Sequence, residues 1–269
     1  MEEIEELIFF LYFNITMFLN KDIELIDGLP IMYIHSLEAV VVADMHLGYE
    51  GIMAKKGILL PQINFKKISE MLEKAIDEKK AKQIIVDGDI KNEFSNVDEA
   101  EFNELYELIQ FTKRKNVELV LIKGNHDNFV ERYREPFRLK VYAQQGQIGD
   151  YLFFHGEELP KKIGFMTKML IMGHEHPMLG IYEVIGKIEK LKCFLYGKYR
   201  GKKLLVLPAI SYFASGTAVN LEPKENLLSP IFKYVDINSM HAIAIGYGST
   251  IDFGQIKNLR DIGKNESVL

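Results

Sequence analysis

At 269 residues the chain can bury a full core in one large domain or two modest ones, and its 48% hydrophobic and 26% charged residues exclude a disordered or fibrous protein. A net charge of -5 excludes the broad positive field of a nucleic-acid coat protein, so any phosphate binding must be local. The single cysteine, Cys193, excludes an intrachain disulfide framework and suits a reducing compartment, which makes the cytoplasm the expected location.

Residues 1–20 stand apart as an N-terminal extension, in which Leu7 to Leu19 is apolar except for Asn14 and Thr16. A bilayer span needs about 20 apolar residues, and a secretory signal needs basic residues where this chain has Glu2, Glu3, Glu5 and Glu6. No membrane span is expected. The extension reads either as a short amphipathic or buried helix, or as weakly ordered residues ahead of an initiator at Met17. From 21 to 269 the chain reads as a single domain.

Short apolar runs at 23–26, 30–35 and 39–44 predict strands, and the last of them, AVVVAD, has the unbroken apolar character of a strand buried on both faces. Residues 62–80 carry Ile63, Ile68, Met71, Leu72, Ala75 and Ile76 at helical spacing. A strand follows at 83–89, then a helix over 98–115 with Phe102, Leu105, Leu108 and Ile109 on one face, then a strand at 117–125. This alternation predicts parallel βαβ units with functional residues on loops at the carboxyl ends of strands. Beyond Pro136 the runs shorten, at 151–155, 169–174, 180–185, 193–196 and 204–209. A hairpin is expected around Gly197 to Lys203, with one or two further strands in 231–237 and 241–248, and this half is expected to be antiparallel. The fold class is α/β, two sheets in one domain.

Of the seven histidines, five stand at the ends of these strands beside Asp, Asn or Gly. DMH at 44–46 follows VVVA, DGD at 87–89 follows QIIV, GNHD at 124–127 follows VLIK, HG at 155–156 follows YLFF, and GHEH at 173–176 follows MLIM. Five strands thus each deliver a residue of metal-ligand type. Hydrolysis of a phosphate ester at neutral pH needs a strong nucleophile and positive charge against the phosphoryl oxygens. Two divalent ions meet both needs, given a bridging carboxylate, neutral imidazoles and an open coordination position.

The ordered set DxH, GD, GNHD, H and GHxH, from about Val40 to Pro177, resembles the calcineurin-like metallophosphoesterase superfamily. The resemblance implies a two-sheet sandwich of mixed sheets flanked by helices, and hydrolysis of phosphodiesters by a hydroxide bridging two ions. It implies that Asp44, His46 and His176 bind one ion, that Asn125, His155 and His174 bind the other, and that Asp89 bridges them. His126 is then the histidine free of metal, hydrogen-bonding the phosphoryl oxygen or protonating the leaving group, with Asp127 orienting its ring and Asp87 one step inside the strand. Mn²⁺ is the expected ion; Zn²⁺, Fe²⁺ and Ni²⁺ suit the same ligands. Within the superfamily, VVVADMHLGYE, GDIKNEF, GNHDN, LLVLPA and SGTAVN are similar to the SbcD-related group of archaeal phosphoesterases and the ligase-associated nuclease PdeM. That group carries His after GDIK where this chain has Asn92, so no ligand role is given to this position. The GDxHG and Asp-Arg-Gly pieces of protein Ser/Thr phosphatases are absent. The resemblance makes DNA or RNA the expected substrate, ahead of a small cyclic or nucleotide phosphodiester and of a non-catalytic scaffold for protein binding; oligomeric state is left open.

Residues 187–203 hold seven Lys or Arg against one Glu, interleaved with Phe194, Tyr196 and Tyr199. They read either as a hairpin beside the metal site that guides a nucleic-acid backbone, or as a solvated hairpin. SGTAVN at 215–220 is either a loop closing over the site or a connection before the last strands. Gly88, Gly124, Gly156 and Gly173 serve backbone turns, Cys193 is a small core residue, and His35 and His241 are structural.

Overall fold

The protein is described by a computed structural model covering residues 17–94, 98–137, 139–182 and 187–260. The first sheet runs in sequence order: β1 (Met17–Asn20), β2 (Ile23–Leu25), β3 (Met32–Ile34), β4 (Ala39–Val42), β5 (Gln83–Asp87), β6 (Glu118–Ile122) and β7 (Lys140–Tyr142). Its first four strands pair antiparallel, and β4 to β7 are parallel. The helix α1 (Tyr49–Lys55) follows β4, then α2 (Asn64–Lys79), and α3 (Glu99–Lys115) joins β5 to β6. Ile68, Leu72, Ala75 and Ile76 of α2 are buried one turn apart on the face the spacing predicted. A reciprocal capping box of Asp98 and Glu101 starts α3, and Asn116 in the left-handed region ends it.

The second sheet contains β8 (Gln145–Ile148), β9 (Tyr151–Phe154), β10 (Met169–Met172), β11 (Pro177–Tyr182), β12 (Ile188–Tyr199), β13 (Lys202–Val206), β14 (Thr217–Ala218), β15 (His241–Gly246) and β16 (Ser249–Gln255). The spatial order is β14-β11-β12-β13-β10-β9-β8, with β15 on β12 and β16 on β15. Strand alternation sorts three layers of core. Val40 and Val42 face α2 and α3, whereas Val41, Ile85 and Val120 face Phe153, Ile171 and Leu205 of the other sheet. Leu152, Leu170 and Leu204 form the outer layer with Ile231, Phe232 and Ile256.

Three expectations change. The second half is mixed rather than antiparallel, since β9, β10 and β13 run parallel. Apolar runs locate strands without fixing direction, and the connections 155–168 and 173–201 are both long enough for crossovers. Residues 231–237, expected as a strand, instead contribute to two 3-10 turns, Pro230–Lys233 and Ile237–Ser239, that pack Ile231, Phe232 and Ile237 on the outer layer. Residues 17–20, which one of the two readings of the extension placed in a helix, are an edge strand on β2, and 1–16 lie outside the described residues. The run 180–185 is strand to Tyr182; 183–185 also lie outside them. Among the described residues no helix is long and apolar enough to cross a membrane.

Candidate metal centre

Five strands end at one edge of the sandwich, where Ala43 and Ala209 bridge the two sheets. There β4 presents Asp44 and His46, β5 presents Asp89, β6 presents Asn125 and His126, β9 presents His155, and β10 presents His174 and His176. The chain turns abruptly to do so. Asp44, His46, Asp89, His174 and His176 all have positive φ, between 47° and 68°. Such left-handed geometry costs a side-chain-bearing residue about 1–2 kcal/mol, least for Asp, Asn and His, and it persists where surrounding contacts over-determine it. Gly88 leaves the room needed for His155, because a Cβ there would come within 2.0 Å of its Nδ1.

All eight residues expected from the sequence come to this edge. The ligand atoms of Asp44, His46 and His176 lie within 4.8 Å of one another, and so do those of Asp89, His155 and His174 and those of His46, Asp89 and His126. His155 Nε2 is 3.1 Å from Asp89 Oδ2 and 3.7 Å from Asp44 Oδ1, and His176 Nε2 is 3.2 Å from Asp44 Oδ1. His126 Nε2 stands 3.8 Å from Asp89 Oδ2. Carbonyls fix the ring orientations: His155 Nδ1 donates to Asp87 O at 2.9 Å, His176 Nδ1 to Ser215 O at 3.1 Å, and His126 Nδ1 to Asn92 O. A carbonyl only accepts, so each Nδ1 carries a proton and Nε2 is the ring nitrogen turned to the centre.

The electrostatics ask for positive charge. Burial pushes the Asp44 and Asp89 carboxyls up, but the neighbouring imidazoles, chiefly His176 for Asp44 and His155 for Asp89, outweigh it and hold both below the usual range. Burial opposes protonation of His155 and His176, yet Asp89 and Asp44 respectively raise both above the ordinary imidazole value. Those protons occupy the places where a cation would sit. His46 and His174 behave oppositely, with burial as the main cause pulling both down to about 4, so they offer neutral imidazoles at pH 7. Asn125 Oδ1 is buried with no hydrogen-bond partner. That orphaned oxygen, two buried carboxylates and the imidazoles around them form a donor set that fits divalent ions.

Asn64, at the start of α2 and fully buried, is a support that residue types alone did not single out. Its Nδ2 donates to Met45 O at 3.2 Å and His46 O at 3.3 Å, and its Oδ1 accepts from Ser211 Oγ at 3.1 Å and the Tyr212 N–H at 2.8 Å. One amide therefore ties the loop after β4 to the segment after β13. The Ser211 N–H donates in turn to Asp44 O at 3.2 Å. Lys192 holds that segment from below, donating to Ala209 O at 2.7 Å and to Ser211 O; burial pulls its ammonium down to about 8, with Asp44 opposing.

Asp127 does not touch the His126 ring. Its carboxylate accepts the N–H groups of Ile90 at 2.9 Å and Gly124 at 2.9 Å, locking the loops after β5 and β6 together; burial first, then Asp89, pushes it up to about 7. The segment 215–220 packs against the candidate ligand His176. Thr217 and Ala218 pair with β11, and Gly216 lies so close that a Cβ there would meet His176 O at 1.7 Å. The tip of the basic hairpin is at the opposite end of the sheet. Lys203 pairs with Met169, the first residue of β10, roughly 16 Å along the strand from the residues that follow its last at about 3.3 Å per residue. His35 and His241 stand apart, with Glu24 at 3.1 Å and Asp252 at 3.0 Å as partners. Cys193 is buried in the outer core layer.

A two-sheet α/β sandwich carrying Asp, Asn and His at the carboxyl ends of its strands is a metallophosphoesterase architecture. Residues 38–175, slightly more than half of the chain, match the calcineurin-like phosphoesterase family, and the chain belongs to it. No sequence among the curated proteins matches. Among solved structures the fold is similar to the Pseudomonas putida nuclease MPE, with 20% identity over 86% of this chain and 94% of that one and a TM-score of 0.59. A looser likeness, at 15% identity and a TM-score of 0.41 over 79% and 96% of the two chains, is to Yfce, a phosphoesterase from E. coli.

Proposed function

We propose that this protein is a divalent-metal-dependent phosphodiesterase acting on nucleic acid, of the SbcD-related and PdeM-like group. The observation that carries the reading is the set of ligand clusters meeting at one edge, Asp44 with His46 and His176, Asp89 with His155 and His174, and His126 grouped with His46 and Asp89. Asp44, His46 and His176 would hold one ion, Asn125, His155 and His174 the other, and Asp89 would be shared between them. Bound there, the ions would supply charge to the phosphoryl oxygens and acidify a water. His126 keeps part of its side chain exposed, 18%, close to the 17% of His176. With its Nδ1–H given to Asn92 O, Nε2 is the ring nitrogen left for the substrate, and in the imidazolium form it protonates the leaving alkoxide. The resemblance of fold to a nuclease supports a nucleic-acid substrate.

The test uses protein stripped with chelator and reloaded with Mn²⁺, assayed on bis(p-nitrophenyl) phosphate, p-nitrophenyl phosphate, and single- and double-stranded DNA. Diester cleavage is expected. His126→Ala should lose about 10²–10⁴-fold in kcat while elemental analysis still finds its metal, whereas Asp89→Asn should lose metal. Activity on the monoester alone, or full activity in His126→Ala, would overturn this mechanism.

A further inference from the structure

Resting on the nucleic-acid reading above, we propose that Phe94 is a stacking platform for an unpaired base of the substrate strand, next to the phosphate position. Its ring centroid lies 3.6 Å from that of His126, with the planes tilted 34°, and the side chain nevertheless remains 48% exposed. One part of the ring covers the imidazole and the rest is left to solvent, an arrangement that burial alone does not favour. The backbone beneath it is fastened from two directions: Asn128 Nδ2 donates to Phe94 O at 3.0 Å, and His126 Nδ1 donates to Asn92 O. The ring is therefore held one residue's width from the ligand cluster, within reach of a base joined to the bound phosphate through its sugar.

Two further observations favour stacking over charge as the source of affinity. The net charge is -5, and the tip of the concentrated basic stretch lies at the far end of the second sheet. On the flank formed by the segment after β13, Tyr212 is 55% exposed and packs edge-on against Phe213, which stacks on Tyr49. Aromatic faces bind bases of any sequence, and they need the base out of a helix, because a paired base has both faces occupied.

Binding is the measurement, by fluorescence anisotropy of Mn²⁺-loaded protein with labelled phosphorothioate strands that resist cleavage. The probes are oligothymidylate, an abasic strand of equal length, and a duplex. Wild type should bind oligothymidylate roughly tenfold more tightly than the abasic strand. Phe94→Ala and Phe94→Leu should bring that ratio close to one, and Phe94→Trp should keep it. A ratio unchanged in Phe94→Ala, no base preference in wild type, or a duplex bound as tightly as the single strand would each overturn the proposal. Because strand binding is read without turnover, a protein that prefers bases but cuts no diester contradicts only the proposed activity. One that cuts diesters without a base preference contradicts only the role of Phe94.

Discussion

Glu104 shows how a single buried carboxyl sets a pH dependence. It accepts the Gly48 N–H at 2.8 Å, and burial, with the charges of Glu50, Glu107 and Glu101 adding to it, pushes it from 4.5 up to about 7. A carboxyl whose folded pKa lies above its unfolded value binds its proton more tightly when folded. Its contribution therefore favours folding at low pH and is lost as pH rises from 4.5 to about 7. Glu104→Gln keeps an acceptor for Gly48 and removes the charge. The variant should match wild type in unfolding free energy at pH 4 and exceed it at pH 8 by an amount on the order of 1–3 kcal/mol after allowing for partial exposure, with Tm following. A Tm difference that stays constant across this range would contradict the assignment. At the same scale, the sequence made the eight site residues legible because each motif ends an apolar run. Their supports were not legible. Asn64 stands in a helix, and nothing in its residue type indicates a reach back to Met45 and His46. Asp127 was read from its position beside His126, whereas its bonds go to the backbone of neighbouring loops.

The loops at the carboxyl ends of the strands are only as firm as what clamps them. Asn64→Leu would leave the Met45 and His46 carbonyls and the Tyr212 N–H without their partner. The expected cost is about 1–3 kcal/mol of stability and about 10- to 100-fold in Mn²⁺ affinity, read by chelator competition. Leu204→Ala in the outer core layer, the control, should lower Tm without changing that affinity. Equal affinity in Asn64→Leu and wild type would remove Asn64 from the site's support. Gly216→Ala should likewise displace His176 and weaken metal binding, since the added methyl would collide with its carbonyl oxygen. Helices were the most legible elements because Ile68, Leu72, Ala75 and Ile76 repeat on one face. Strand direction in the second half was hidden. Antiparallel and parallel strands share the same alternation, and only the register of β9, β10 and β13 distinguishes them.

Across the whole molecule, the centre draws Asp44, His46, Asp89 and Asn125 from the first sheet and His155, His174 and His176 from the second. Ions held there would tie the two layers together, so their binding energy adds to stability. Mn²⁺ at 100 times its dissociation constant should stabilise the protein by about 2.7 kcal/mol, and excess chelator should return Tm to the metal-free value. A Tm indifferent to Mn²⁺ would deny that link. Because the basic hairpin turns at the opposite end, Lys198→Glu and Arg200→Glu together should leave diester kinetics at wild-type values. The split between sheets also sets an order in time. A ribosome emits residues from the N-terminus, and the seven strands of the first sheet are neighbours in the order they emerge. The nascent chain thus has its two carboxylates in hand before any of the last three histidines is made. Until residue 155 is out those acids face each other without His155 or His176, and the site becomes complete only when residue 176 has followed and the second layer closes on the first.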